Sequence, residues 1–512
     1  MHRRLLILAI SLFLSAAIFA DENTPVIEVK ADRTIIYPQR MELTGEETLM
    51  DILQMMPDLM IAGYEDVISD YNLRIDNCAM NGDTKLILSQ MKAKDIAKIQ
   101  VCDNTGVAKG SIGMNKVLDI NMIMPGSWKG FVEGQGGFGK DAEGNGTVNG
   151  LYGSQHTDLY ANASYRYQGG NKEYLSLHMT NRFDERNRLL TYFTQQYLEL
   201  PDGASRKILG RARYFHVFND VGTELLLVGG YQYNSDLILS NKLPLFNVEL
   251  NTPLTKRMTM MLGFESDFLM TEKKHTDRSW NVFNHDAYLQ LTYTLPKWKF
   301  TIGDRVMFYN YKVKEEGISQ KHSDTRHNAN ACVIFIPNSR HQIQLGYYHK
   351  YYNPAYVDIF KLDERDINQI KLSYAYSKQK LTVNTEASHF IIEDGENLTK
   401  LSASVYWKKD WLSLTGGSNL YLAKSGGYAA FRFAPTTYLP HAWQIGMQMI
   451  YYTKKSPSHE LTGVPMYGCL SVNKQFGKNW NMGIDWHDMF DAFYSDVTVN
   501  RHAANIKLQY RF

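Results

Sequence analysis

The chain has 512 residues, with 55 Lys and Arg against 53 Asp and Glu, a net charge of +2 and only four cysteines. This balance, without a basic run, excludes a dedicated nucleic-acid surface, and so few cysteines exclude a disulfide-framed fold. Mean hydropathy is −0.35, and past the first stretch no apolar run approaches the ~20 residues that a membrane-spanning helix needs.

In chain order, Met1-His2-Arg3-Arg4 is basic and residues 5–19 are almost wholly apolar. Small Ala16, Ala17 and Ala20 precede Asp21-Glu22, so residues 1–20 read as a secretory signal peptide. No Cys follows the apolar run, which argues against a lipoprotein anchor. Residues 21–43 read as an extended segment, unpaired at rest, whose β-prone part is Val26-Ile27-Glu28-Val29.

Residues 44–125 read as a small mixed α/β domain. Thr44 with Glu47 forms a capping box. The helix that follows puts Leu49, Ile52, Leu53 and Met56 on one face and ends at Pro57. A second short helix is expected at 92–96, and strands at 73–75, 85–88, 99–101 and 117–121. Cys78 and Cys102 are a candidate bridge in an exported chain.

From Trp128 onward the period becomes two. Across 287–295 the odd positions are apolar while Gln290, Thr292 and Thr294 fall opposite. The chain closes with Ile506, Leu508, Tyr510 and Phe512 on one strand face and Lys507, Gln509 and Arg511 on the other. Such segments number about 22, an even count that fits a closed antiparallel barrel with lipid outside and a polar lumen. Tyr 33, Phe 23 and Trp 8 supply rings for interfacial girdles. Connections alternate between tight ones, such as 296–297 and 378–379, and longer ones, such as 275–279, 315–327, 353–366, 456–463 and 494–503. Short turns on one rim and long loops on the other are what such a barrel requires.

A small α/β domain, then barrel strands, then a terminal aromatic together resemble TonB-dependent outer-membrane receptors of the Bacteroidetes type. Val26 to Val29 looks like the segment that such receptors offer to TonB. Residues 48–59 look like the first plug helix, and Ile96, Ile99, Gln100 and Val101, followed by glycines and Ile120-Asn121, look like the plug's "I-x-x-I-E-V … I-N-I". The chain departs from that pattern at Leu59, at Gln100 and at Asn115-Lys116.

The resemblance implies a mainly-β fold: a transmembrane antiparallel barrel of about 22 strands over 126–512, with a plug (44–125) in its lumen and a periplasmic segment (21–43) before it. It implies outer-membrane location, and pairing of Val26, Ile27, Glu28 and Val29 with the inner-membrane TonB complex by β-augmentation. Outer-membrane lipid, the barrel-assembly machinery and a small or medium extracellular ligand (iron chelate, vitamin, glycan or peptide) complete the implied partners, with a surface lipoprotein as a further candidate. Tyr510 and Phe512 take the role of closing strand and assembly signal.

Tyr356, Asp358, Asp363 and Arg365 lie in the charged outer segment 353–366, where cargo would first bind. His322 and His327, with Asp324, are the candidate metal contact among otherwise scattered histidines. Gly106, Gly110 and Gly113 lack the Lys-Ser/Thr of a phosphate loop and read as turns. No nucleophile elbow and no paired His-Glu metal motif appears. No enzyme, cofactor or resident metal is expected. The expected function is energised import, and the alternative is a transport-inactive plugged barrel acting as a surface binding or structural protein. A passive porin is a third reading, opposed by the N-terminal domain.

Overall fold

The computed structural model describes residues 26–29, 33–41, 49–53, 71–75, 78–79, 88, 91–102, 116–123, 128–138, 142–168, 170–200, 203–218, 222–315, 317–352, 365–378, 380–393, 395–453, 466–477, 479–487 and 503–511. Strands from β7 (Lys129–Phe138) to β28 (Ala503–Arg511) pair antiparallel in chain order, and β28 returns to pair with β7. The result is a closed 22-stranded barrel.

Alternation explains the wall. In β28 the outward Ile506 and Leu508 are 54% and 49% exposed, while the inward Asn505 and Gln509 are 5% and 1% exposed. In β27 (Trp480–His487) Trp480, Met482, Ile484 and Trp486 all face outward, with a ring at each end of the apolar run. Such a band suits hydrocarbon between two interfaces. No described helix is long and apolar enough to cross a membrane, which says nothing of strands.

The N-terminal part forms a six-stranded sheet. Its order is β1 (Ile27–Val29), β2 (Thr34–Ile36), β5 (Ile96–Cys102), β6 (Lys116–Met122), β3 (Tyr71–Ile75), β4 (Cys78–Ala79), with β3 and β6 parallel. Ile36, Leu49, Ile52, Leu53, Ile99 and Ile120 are fully buried, and this core is continuous with Leu151, Tyr160, Tyr174, Ala375 and Tyr406 of the barrel. The sheet therefore sits against the inner wall, as a stopper in the lumen must.

Several expectations change. The segment 21–43 is not unpaired: β1 pairs with β2 and β2 with β5, because Val26, Ile27 and Ile36 are apolar and complete the plug core. Of 48–59, Leu49–Leu53 is helical, and the rest of that stretch lies outside the described residues. The expected helix at 92–96 is a short 3-10 turn, Ala93–Asp95. The expected strand at 85–88 fails at Leu88, which is helical; 85–87 lie outside the described residues.

β4 and β5 are separated by β6 and β3. The side chains of Cys78 and Cys102, the candidate bridge, lie outside the described residues. The expected outer loop 315–327 is instead a hairpin. β17 (Trp298–Glu315) and β18 (Ile318–Asn338) stay in register up to Glu315 and Ile318.

Candidate functional site

The short-turn rim holds β1. Val26 N–H donates to Ser377 Oγ at 3.1 Å, and Ile27 N–H approaches the same oxygen at 3.4 Å. Ser377 lies near the end of β20 (Arg365–Lys378) and is 2% exposed. Tyr37 N–H donates to the Val26 carbonyl at 2.9 Å, and the Tyr37 hydroxyl donates to Glu28 Oε2 at 3.0 Å. Burial, and then the charge of Glu28, raise the Tyr37 phenol above its usual range. Lys299 of β17 faces the other Glu28 oxygen at 3.7 Å.

β1 is thus clamped between its own sheet and the barrel wall. Each hydrogen bond is worth about 1 kcal/mol net, and the partly exposed Glu28–Lys299 pair contributes about 0–1 kcal/mol. These polar contacts are individually weak, and the burial of Val26 and Ile27 adds to them. Ser377→Ala is expected to raise the chemical labelling rate of a Val26→Cys probe several-fold, without changing barrel assembly; an unchanged rate would show that Ser377 does not hold the segment.

Higher on the wall, basic groups collect on the lumen side of β9 (Thr157–Gln168), β10 (Asn171–Arg182) and β12 (Gly203–Val217). Arg166 and Lys172 stand directly opposite each other. Lys207, Arg211 and Arg213 alternate down β12, and Arg213 and Arg188 lie over the Phe215 ring at 5.5 and 4.4 Å. Like charges in opposed positions are unfavourable in an empty wall and favourable around an anion.

A second charged group is structural. Arg305 is fully buried; its Nε donates to Asp286 at 2.7 Å and its Nη2 to Glu265 at 2.7 Å. The Tyr288 ring lies 5.2 Å from that guanidinium, and its hydroxyl donates to Glu249 at 2.9 Å.

Of the residues singled out in the sequence, Val26, Ile27, Glu28 and Val29 come together at the clamp. Tyr356, Asp358, Asp363 and Phe512 lie outside the described residues. Arg365 opens β20 opposite Tyr352. Tyr510 packs on Trp480 at 4.8 Å and pairs with Val132 across the closure. His322 and His327 do not converge: their odd separation along β18 puts them on opposite faces. His322 meets the Tyr311 ring at 4.8 Å, His327 Nδ1 lies 3.1 Å from Asp304, and Asp324 accepts from Arg326 Nε at 2.6 Å. No three His, Cys, Asp or Glu among the described residues are grouped to hold a metal. Sequence reasoning missed Tyr37, Lys299 and Ser377; for Lys299 and Ser377 the signal was a polar residue facing inward beside a tight turn.

The arrangement is a closed barrel with a small sheet against its inner wall and an edge strand clamped at the short-turn rim. No family model matches the chain, and no curated protein matches it in sequence. Solved structures do match. The siderophore receptor PirA from Pseudomonas aeruginosa aligns at 12% identity and TM-score 0.69 over 95% of this chain and 100% of that one. The FrpB iron transporter from Neisseria meningitidis aligns at 10% identity and TM-score 0.67, over 94% and 100%. The alcaligin outer-membrane receptor FauA from Bordetella pertussis aligns at 12% and 0.65, over 95% of each. At such identities the likeness is one of fold, and the fold is that of TonB-dependent outer-membrane receptors.

Proposed function

We propose that the chain is an outer-membrane receptor that binds a small extracellular ligand and imports it when TonB draws on Val26, Ile27, Glu28 and Val29. The observation that carries this reading is the clamp: an edge strand of the plug, held at the short-turn rim by a few weak bonds to Ser377 and Lys299. That rim is taken as periplasmic, because short turns face the periplasm in such barrels. Pulling β1 removes two apolar residues from the plug core and disturbs the plug from below.

In this reading residues 1–20 are the signal peptide, 44–125 together with the docked strands β1 and β2 of the 21–43 segment are the plug, and 126–512 the barrel. Tyr356, Asp358, Asp363 and Arg365 make first contact with cargo, and Tyr510 and Phe512 serve the barrel-assembly machinery. The basic wall of Arg166, Lys172, Lys207 and Arg211 favours an anionic cargo, which agrees with the siderophore and iron receptors of the same fold. The plug motifs set it beside receptors of the Bacteroidetes type. Lys172→Gln combined with Lys207→Gln is expected to weaken binding of an anionic ferric chelate about a hundredfold or more, since each charged contact is worth ~1.5–3 kcal/mol. Equal affinity would remove the anionic preference.

The docked β1 also fits the alternative of a transport-inactive, ligand-binding barrel, because at rest it is paired with β2 and held to Ser377 on its other side, so TonB would first have to release it. Energy dependence separates the two. Uptake of a labelled anionic ferric chelate, measured with and without a protonophore in cells making this chain, should fall to background when the gradient collapses. Ligand captured at the surface and never delivered, with or without the gradient, would favour the alternative.

A further inference from the structure

The outward face of β17 is apolar from Trp298 to Phe308 except at one residue. Phe300, Ile302 and Phe308 are exposed there, whereas the inward Arg305 and Met307 are fully buried. Ten residues rising ~3.3 Å each on a strand tilted by ~35–45° climb about 25 Å, the height of the apolar band of such barrels. The exception is Asp304, which lies 3.1 Å from His327 Nδ1 on the same outer face.

Above Phe308 that face turns basic. Its outward positions continue with Asn310, Lys312 and Lys314. β18 returns in register and sets Lys321 directly opposite Lys312. Tyr311 and His322, one residue on from each, meet ring to ring at 4.8 Å on the inward side, so the lysines stand outside. All three are exposed, and none has an ion pair or hydrogen bond to a described residue. The outward Glu272 of β15 (Met258–Lys273) stands two strands from Lys314, across Ser279 of β16 (Ser279–Thr294).

Like charges directly opposed on a sheet repel, and Lys314 adds a third about 7 Å further along the strand. Such a cluster is unfavourable alone and favourable with an anion across it. Among the described strands, Arg166 and Lys172, and Arg182 and Arg188, are also opposed basic pairs, but those face the lumen. Height decides what the outward cluster can meet. Lys312 is four residues past Phe308, about 10 Å along the barrel axis. The headgroup layer adds ~5–8 Å to each side of the hydrocarbon, and a lysine bends its stem over apolar surface to bring its ammonium into a polar layer.

Beneath the lysines lies an aromatic shelf. Phe264 and Phe268 of β15 and Phe283 of β16 share the outward face with Phe308, and the rings of Phe268 and Phe283 stack at 3.9 Å. Ammonium groups above phenyl rings match the order of groups along a lipid, with phosphate above and acyl chains below. A soluble anion would use only the upper half of this surface. A second copy of this chain, set against the same face, would bring three further lysines to it.

We propose that Lys312, Lys314 and Lys321 form a site for an anionic, phosphate-bearing lipid headgroup of the leaflet at the long-loop rim, with the acyl chains of that lipid on Phe283 and Phe308. The phosphate lies across the opposed pair Lys312 and Lys321 and removes their repulsion. The bound lipid thereby braces the β17–β18 hairpin where it leaves the membrane. Asp304, already engaged by His327, does not compete for the lysines. The site is on the outside of the wall, so it holds whether or not the chain imports a ligand.

Lipid titration tests this on the full chain in neutral-detergent micelles. Fluorescent phosphatidylglycerol is expected to bind at least tenfold tighter than phosphatidylcholine carrying the same dye. Each basic group at an anionic headgroup contributes about fivefold. Lys312→Gln, Lys314→Gln and Lys321→Gln together should therefore weaken phosphatidylglycerol binding about a hundredfold and leave phosphatidylcholine unchanged. Three outward charges removed elsewhere, by Arg206→Gln, Lys242→Gln and Lys409→Gln together, should cost less than tenfold. Equal losses from the two triple variants, or no loss from the first, overturn the site. Excess inorganic phosphate should leave the lipid bound; complete displacement assigns the lysines to a soluble anion and overturns the lipid. Light scattering should find one copy per micelle; a dimer that the first triple variant abolishes overturns the lipid as well.

Discussion

Deleting residues 24–31 is expected to reduce energised uptake to background while surface binding of the same ligand stays within about twofold. In the proposed reading, work from the inner membrane reaches the plug through this segment, by main-chain pairing that needs an extended strand, whereas the ligand meets the far rim. The structure adds a control. Val26 and Ile27 are 2% and 1% exposed in the plug core, so the deletion also removes apolar packing worth roughly 1.5–3 kcal/mol per side chain. Ligand binding is therefore measured beside uptake, on protein shown by thermal unfolding to keep its plug. Uptake that survives the deletion rules out the coupling mechanism, and loss of binding together with uptake would place the segment's role in plug folding.

Arg305→Met is expected to destabilise the barrel by about 3–5 kcal/mol, because the carboxylates of Asp286 and Glu265 would remain with no counter-charge. Asp286 is fully buried and Glu265 is 21% exposed, so the first bears most of the penalty. Urea or thermal unfolding in detergent micelles reads the effect. Adding Asp286→Asn and Glu265→Gln should recover most of the loss, since the penalty comes from the stranded charges. A single variant as stable as the parent would show that the network adds nothing. The site has little room to relax: a Cβ on Gly263 would lie 2.1 Å from Tyr288 Cζ, so the ring and the guanidinium stacked near it depend on glycine there.

The barrel was legible residue by residue. Lipid on one side and water on the other force every second side chain to change character, and Ile506, Leu508 and Tyr510 against Lys507 and Gln509 show this without coordinates. The β17–β18 hairpin was not legible beyond the lipid band. There Ser319, Lys321 and Ser323 face one way and Gln320, His322 and Asp324 the other, and both faces are wet, so the period carries no hydropathy. The candidate TonB segment was found by its β-prone residues and its position. Its docking was not, because the donor at Val26 and the acceptor at Ser377 lie 351 residues apart.

By itself the amino-acid order determined solvent, strand count, closure and the presence of a separate N-terminal domain, because each rests on local alternation or on residues adjacent in the chain. Only the tertiary structure decided that β1 is clamped, that Arg305 neutralises two carboxylates, and that Lys321 stands opposite Lys312 on the outer face of one hairpin. Those features depend on which strands lie opposite at a given register, and opposition across a closed sheet is a property of the whole ring of strands.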